Sequence, residues 1–163
     1  MGLDYQHSSS ERAYQRKTLK TFLQEYGALH SRAVIHCRDG RETGEALKDL
    51  LPILRRCLPR KYSVYVHHFT GSLEDVATWQ SAFEDVFFGI PGKFMHTDLR
   101  LANAFLKVPL DRLLLESDAP HVLRSPWDLS RLTHQVSQLL NMPPSMVAEL
   151  GRCNACQFYG LPL

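Results

Sequence analysis

Apolar positions along the chain switch between two periods, and the switching lays out a regular order of elements. From Glu11 to His30 the residues Leu19, Phe22, Leu23 and Tyr26 recur at three- and four-residue spacing, the stripe of an amphipathic helix. Arg32 to Cys37 then runs Ala33-Val34-Ile35-His36, short and β-branched, as a strand does. Thr43 to Leu58 returns to the helical period, with Pro52 as a point of bending. Tyr62 to His67 is aromatic and β-branched and predicts a second strand. Ser72, with Asp75 three residues on, forms a weak capping box and opens the next helix. Asp85 to Ile90 predicts a third strand, ended by the turn signal Gly89-Ile90-Pro91-Gly92. Asp98 to Val108 follows as a helix, and Leu113 to Ser117 as an apolar strand stopped by Pro120. Helices over Leu129 to Leu140 and Ser145 to Tyr159 close the chain, and Met1-Gly2-Leu3-Asp4-Tyr5 reads as the end of one more strand.

Strands that alternate with helices and are themselves nearly all apolar predict a parallel sheet covered by helices. Two closures are standard, a doubly wound sheet and a (β/α)8 barrel. The 163 residues allow one domain. A complete barrel takes about 250 residues, so the chain is too short to be one. No glycine-rich phosphate loop follows any strand, which counts against a nucleotide-binding sheet.

Composition narrows the class a little. Hydrophobic residues make up 44% and charged residues 22%, which is globular and not disordered. No apolar run reaches the ~18 residues of a membrane span. Met1 to Glu11 lacks the apolar centre of a signal peptide. A net charge of +2 argues neither for nor against nucleic acid. Cys37, Cys57, Cys153 and Cys156 read as reduced thiols of a cytosolic or nuclear protein. The Cys153-Asn-Ala-Cys156 pair would need two further soft ligands, near in sequence or space, to hold zinc; two small buried residues of a helix are the commoner reading and a redox or zinc role the rarer one.

In parallel α/β folds the chemistry collects at the carboxyl ends of strands. Those ends read His36-Cys37-Arg38-Asp39, His67-His68-Phe69-Thr70-Gly71 and Glu116-Ser117-Asp118-Ala119-Pro120. Imidazoles and a carboxylate at equivalent heights make a metal half-shell, suited to zinc, manganese or another divalent ion. Each residue alone also has a plain structural reading, a hydrogen-bonded histidine or a turn-capping aspartate. Side chains alternate along a strand, so only one of His67 and His68 is expected to point to the functional face. Glu116 shares a face with Asp118 and either orients a ligand from behind or pairs with a base such as Arg38. His7, His30, His96, His121 and His134 read as solvated or structural. The basic run from Arg55 to Lys61 reads as a solvated helix end, where positive charge complements the helix dipole.

The three strand ends, written in full, are Val34-Ile35-His36-Cys37-Arg38-Asp39, Val66-His67-His68-Phe69-Thr70-Gly71-Ser72 and Leu113-Leu114-Leu115-Glu116-Ser117-Asp118-Ala119-Pro120. Together they resemble the TatD family of metal-dependent deoxyribonucleases. Met1-Gly2-Leu3-Asp4-Tyr5 is similar to that family's Gly-Leu-Asp-Tyr strand, and Asn154-Ala155 with Phe158-Tyr159-Gly160 to its last helix. The resemblance implies the C-terminal portion of a (β/α)8 TIM barrel, strands 5–8 plus the end of strand 4, with helices outside. It implies one partial hydrolase domain over residues 1–163. It implies hydrolysis of phosphodiester bonds in DNA, with RNA as the alternative, by 3′–5′ exonuclease action.

The same resemblance implies two divalent cations per complete site, magnesium or manganese, with zinc as the alternative. His36 and His67 then match ligands of one metal. Asp118 matches the carboxylate that binds the other and helps activate water. Arg38 and His68 are placed toward the substrate phosphate, and Glu116 behind the ligands. The family's His-x-His pair is absent from this sequence, and its bridging Glu precedes the position that matches Met1. The expectation is a chain that begins inside the fourth strand, with three of six ligands. Such a half-barrel has two open edges, so self-association is expected. Two other functions stay open: an inactive interaction module, and a metal hydrolase of a non-nucleic-acid ester or amide.

Overall fold

Local sequence and cross-strand pairing together decide where each element starts and stops. In the computed structural model the described residues are 1–6, 8–91, 98–118 and 128–163. They form two compact units, Met1–His67 with Thr78–Val86, and His68–Ala77 with Phe87–Leu163. In each unit the paired strands are parallel and follow chain order.

The first unit holds β1 (Gly2–Asp4), α1 (Ser9–Tyr26), β2 (Arg32–Arg38), α2 (Glu45–Cys57) and β3 (Ser63–His67). Leu3, Ile35, Val64 and Val66 supply the strands' share of its core, and Leu23, Leu50 and Leu54 the helices' share. Ser8 and Glu11 cap α1 reciprocally, which satisfies donors that the first helical turn leaves open. The helix stops at Tyr26, short of His30, and continues as a 3-10 turn over Gly27–Leu29. Only Leu19 and Leu23 of its apolar stripe are buried. Phe22, at the stripe's edge, and Tyr26, at the helix's last position, stack on each other in the open, with ring centroids 5.0 Å apart.

Helix α2 begins two residues later than expected, because Gly44 at φ +81° is left-handed and Asp39 caps the helix through the Gly44 and Ala46 amides. Pro52 sits inside α2 without ending it. Its ring and the Lys48 backbone four residues earlier are both on the exposed side, where water can replace the missing bond.

Gly2 is the tightest point of this unit. Its φ is +152°, and a Cβ there would lie 1.8 Å from the His36 carbonyl oxygen. Gly2→Ala is therefore expected to push β1 off β2, with a loss of about 1–3 kcal/mol in urea unfolding. Wild-type stability in that variant would show that β1 is not held in this register.

In the second unit Phe87–Pro91, the end of β4 (Asp85–Pro91), pairs with β5 (Leu113–Glu116), Phe88 opposite Leu113 and Pro91 opposite Glu116. Gly89, Ile90 and Pro91 are strand and not turn, since the ladder to β5 overrides the local signal; Gly92 lies outside the described residues. Ser72 and Asp75 exchange hydrogen bonds at the start of α3 (Leu73–Ala82). Asp98 caps α4 (Leu99–Phe105), which ends before Val108. Helices α5 (Asp128–Leu140) and α6 (Pro144–Tyr159) close the unit. The Phe69 ring meets Phe88 at 5.1 Å and Phe105 at 5.8 Å, both edge-on. Asn154, buried on α6, donates to the Leu110 and Leu113 carbonyls at 2.7 and 2.8 Å and so ties α6 to the start of β5.

Candidate functional site

The parallel register of the first unit sets Gly2 opposite His36, and His36 opposite His67. Residues in register on neighbouring parallel strands project to the same face. The two imidazoles accordingly lie side by side, ring centroids 6.3 Å apart and tilted by 36°. Asp4, at the end of β1, reaches the same place: its Oδ2 is 3.2 Å from His36 Nε2 and 3.6 Å from Arg38 Nη1. Asp4 joins this cluster, which the strand-end reading passed over, although it ends a strand as the histidines do. Arg38 is half exposed and anchored by Asp4. Beside this cluster Arg12 and Arg41 line a polar basin of about 620 Å³ with Ser8, Ser9 and Gly40.

Burial lowers the His36 pKa below its ordinary value of 6.5 and outweighs the opposing pull of Asp4. The neutral imidazole, which is the form that ligates metal, is thereby favoured. The folded chain resists protonation of His36 more than the unfolded chain does. Its contribution is complete above pH 6.5 and is lost as pH falls through the lower folded value. The urea midpoint is expected to fall between about pH 7 and about pH 5, and to fall less in His36→Gln. Equal pH slopes for the two proteins would contradict this assignment.

The second unit holds the other three candidates. His68 follows β3 directly and has left the strand, at φ +49°; Asp118 follows β5 at φ +48°. Strand alternation therefore does not govern His68, and the expectation that His67 and His68 point to opposite faces of one strand does not apply. His68 Nδ1 lies 2.9 Å from Asp118 Oδ2 and 3.8 Å from Glu116 Oε1. The side chains are nearly buried, at 11% exposure for His68, 15% for Asp118 and 8% for Glu116. The base beside Glu116 is thus His68, while Arg38 pairs with Asp4.

Two imidazoles side by side, one of them backed by a carboxylate, have the right donor chemistry for a divalent ion. His36 and His67 fit as two ligands of such an ion, with Asp4 orienting His36. Among the described residues no three His, Cys, Asp or Glu side chains converge as a ready shell.

Other sequence candidates fall away from these clusters. His30 and His134 are exposed, while His7, His96 and His121 lie outside the described residues. Arg55 and Arg56 end α2 in solvent, Arg55 bonding Ser81 and Arg60 facing Glu84 at 3.7 Å. No disulfide joins the four cysteines. Cys153 and Cys156 are half-buried on α6, not core residues, and Cys153 faces Glu149. No helix among the described residues is long and apolar enough to cross a membrane.

A family model described as TatD related DNase matches residues 1–160. Human 3'-5' RNA nuclease TATDN2 is 28% identical over 99% of this chain and 22% of its own length. The 3'-5' ssDNA/RNA exonuclease TatD of Erwinia billingiae is 27% identical, over 99% of this chain and 64% of its own. Among solved structures, the TatD homologue YJJV of Escherichia coli superposes with a TM-score of 0.80 at 23% identity, covering 99% of this chain and 62% of that one. An uncharacterized amidohydrolase of Saccharomyces cerevisiae reaches 0.76 at 16% identity, over 97% of this chain and 63% of that one. These likenesses bear out the parallel α/β fold. The chain spans less than two thirds of the length of each of these proteins.

Proposed function

This chain belongs to the TatD related DNase family, and from that premise we propose that it carries part of the site of a metal-dependent hydrolase of nucleic-acid phosphodiester bonds. The observation that carries the reading is the row formed by His36 and His67 with Asp4 behind His36. We read residues 1–163 as one partial hydrolase domain, the C-terminal portion of a (β/α)8 barrel, acting as a 3′–5′ exonuclease on DNA or RNA. Magnesium or manganese is the cation this reading favours, two per complete site. We place the chain in the cytosol or nucleus.

A divalent cation bound here would supply Lewis-acid charge and a water whose pKa falls from about 16 toward 7. The chain's own groups do the rest. His36 and His67 would hold the cation through ring nitrogens, and Asp4 holds the His36 ring against the strand end. Asp118, read from its motif as the carboxylate of the complete site, would serve as the proton acceptor. Arg38, half exposed beside the histidine row, offers its guanidinium to a phosphate oxygen.

The test is a 5′-labelled single-stranded DNA or RNA incubated with the 163-residue chain and Mn2+. A ladder shortening from the 3′ end is expected, abolished by EDTA and restored by added Mn2+. Absence of any metal-dependent product would withdraw catalysis from this chain and leave the interaction module, which gel filtration at rising concentration would show as self-association.

A further inference from the structure

We propose that Gln15 is a positioning residue: its side-chain amide grips the backbone of Asp4 and so aims the Asp4 carboxylate at His36. The inference rests on the reading of His36 as a ligand of the site's cation. It goes beyond that reading in naming the group that sets Asp4 in place.

The need for such a group comes from the strand. Backbone groups alternate sides along β1 and its flanks. Met1 accepts from the His36 N–H at 2.7 Å and Tyr5 donates to the Arg38 carbonyl at 2.8 Å, so both turn to β2. Asp4, one residue before Tyr5, therefore turns its own N–H and C=O away from β2, and such groups need a partner. Helix α1 supplies it. Leu19 and Leu23 form the helix's buried face, and Gln15 stands one turn before Leu19 on that same face. Gln15 Oε1 accepts from the Asp4 N–H at 2.8 Å, and Gln15 Nε2 donates to the Asp4 carbonyl at 3.0 Å. One amide thus meets both outward groups of one residue, as a neighbouring strand would. An amide presents acceptor and donor side by side in one plane, which a carboxylate or an ammonium cannot do.

With its backbone gripped, Asp4 has its remaining atoms placed as well. Oδ1 accepts from the Gln6 N–H at 3.0 Å. Oδ2 is left to face His36 Nε2 at 3.2 Å and Arg38 Nη1 at 3.6 Å. The contacts run from Gln15 to Asp4 to His36, all inside the first unit. A carboxylate behind a metal-binding histidine fixes the orientation of the ring. Gln15 stands one contact further back and fixes the carboxylate. Without its two hydrogen bonds the end of β1 is free to swing, and Oδ2 leaves the ring.

Two measurements on the full chain decide the matter, made on wild type, Gln15→Met and Gln15→Glu. Met keeps the length and removes both hydrogen bonds. Glu keeps the acceptor and loses the donor. The first measurement is 1H–13C NMR of the histidine rings in the metal-free protein at pH 8, where the His36 ring is neutral. The His36 signal is assigned by its disappearance in His36→Gln, and Asp4→Asn shows how it moves when the carboxylate charge is lost. In Gln15→Met the His36 signal is expected to shift toward its Asp4→Asn position, and in Gln15→Glu to shift less far. A Gln15→Met protein that melts at a lower temperature with the His36 signal unmoved overturns the proposal and leaves Gln15 as a tie between α1 and β1.

The second measurement is Mn2+ calorimetry. Loss of a group that touches a metal ligand costs about 10- to 100-fold in affinity, so Gln15→Met, one contact further back, is expected to cost about 3- to 10-fold. Equal affinity in wild type and Gln15→Met overturns the proposal while leaving the hydrolase reading intact. A wild type that binds no Mn2+ withdraws the reading of His36 as a ligand, whereas a shifted His36 signal in Gln15→Met still upholds the grip on Asp4. Should Gln15→Met fail to fold, Gln15→Glu carries both readouts, and an unmoved His36 signal in it overturns the proposal.

Discussion

Asp118→Asn is expected to lower the metal-dependent cleavage rate by about 10²–10⁴-fold, with the far-ultraviolet circular dichroism unchanged. The substitution keeps the shape of the side chain and removes its charge. An amide takes up no proton from water at neutral pH and binds a divalent cation weakly. The amide fills the space of the carboxylate beside His68, so the local fold should persist. Single-turnover kinetics on a 3′-terminal fragment, with Mn2+ in excess, separates a slower chemical step from weaker metal binding. A rate within a few-fold of wild type would remove Asp118 from the reacting site and leave it as a turn-forming residue after β5.

Phe105→Ala is expected to cost about 3–5 kcal/mol in urea unfolding. Phe105 is fully buried, and its ring meets Phe69 edge-on at 5.8 Å, which in turn meets Phe88 at 5.1 Å. Removing the ring opens a cavity among side chains that are themselves rigid and cannot close it fully. Against a typical domain stability of 5–15 kcal/mol, that loss leaves little margin. Phe69 immediately follows His68, so the same substitution should loosen the backbone that aims the imidazole. A stability loss under about 1 kcal/mol would show that Phe69 and its neighbours collapse into the space.

The expected strand ends and the found ones agree closely where the sequence signal is local and unopposed. Ala33-Val34-Ile35-His36 forms β2 and Leu113-Leu114-Leu115-Glu116 forms β5, because β-branched and leucine-rich runs of that length fit a buried strand. The capping exchange of Ser72 and Asp75 forms as written. Disagreement appears where a distant partner overrides a local preference. Gly89-Ile90-Pro91 reads as a turn by itself and becomes strand because β5 supplies a ladder. Phe22 and Tyr26 read as core by spacing and stay exposed on α1.

The candidate site divides in the same way. The sequence by itself determined the order of helices and strands and the residue types at each strand end, His36, His67, Glu116 and Asp118. Periodicity and short motifs are properties of neighbouring residues, so they survive without the fold. Only the tertiary structure decided which group each of them meets. Asp4 is drawn to His36 by a β1–β2 register that depends on Gly2 having no Cβ. His68 turns to Asp118 because two separate backbones both adopt left-handed φ, a choice that sequence-local rules disfavour and that long-range packing imposes.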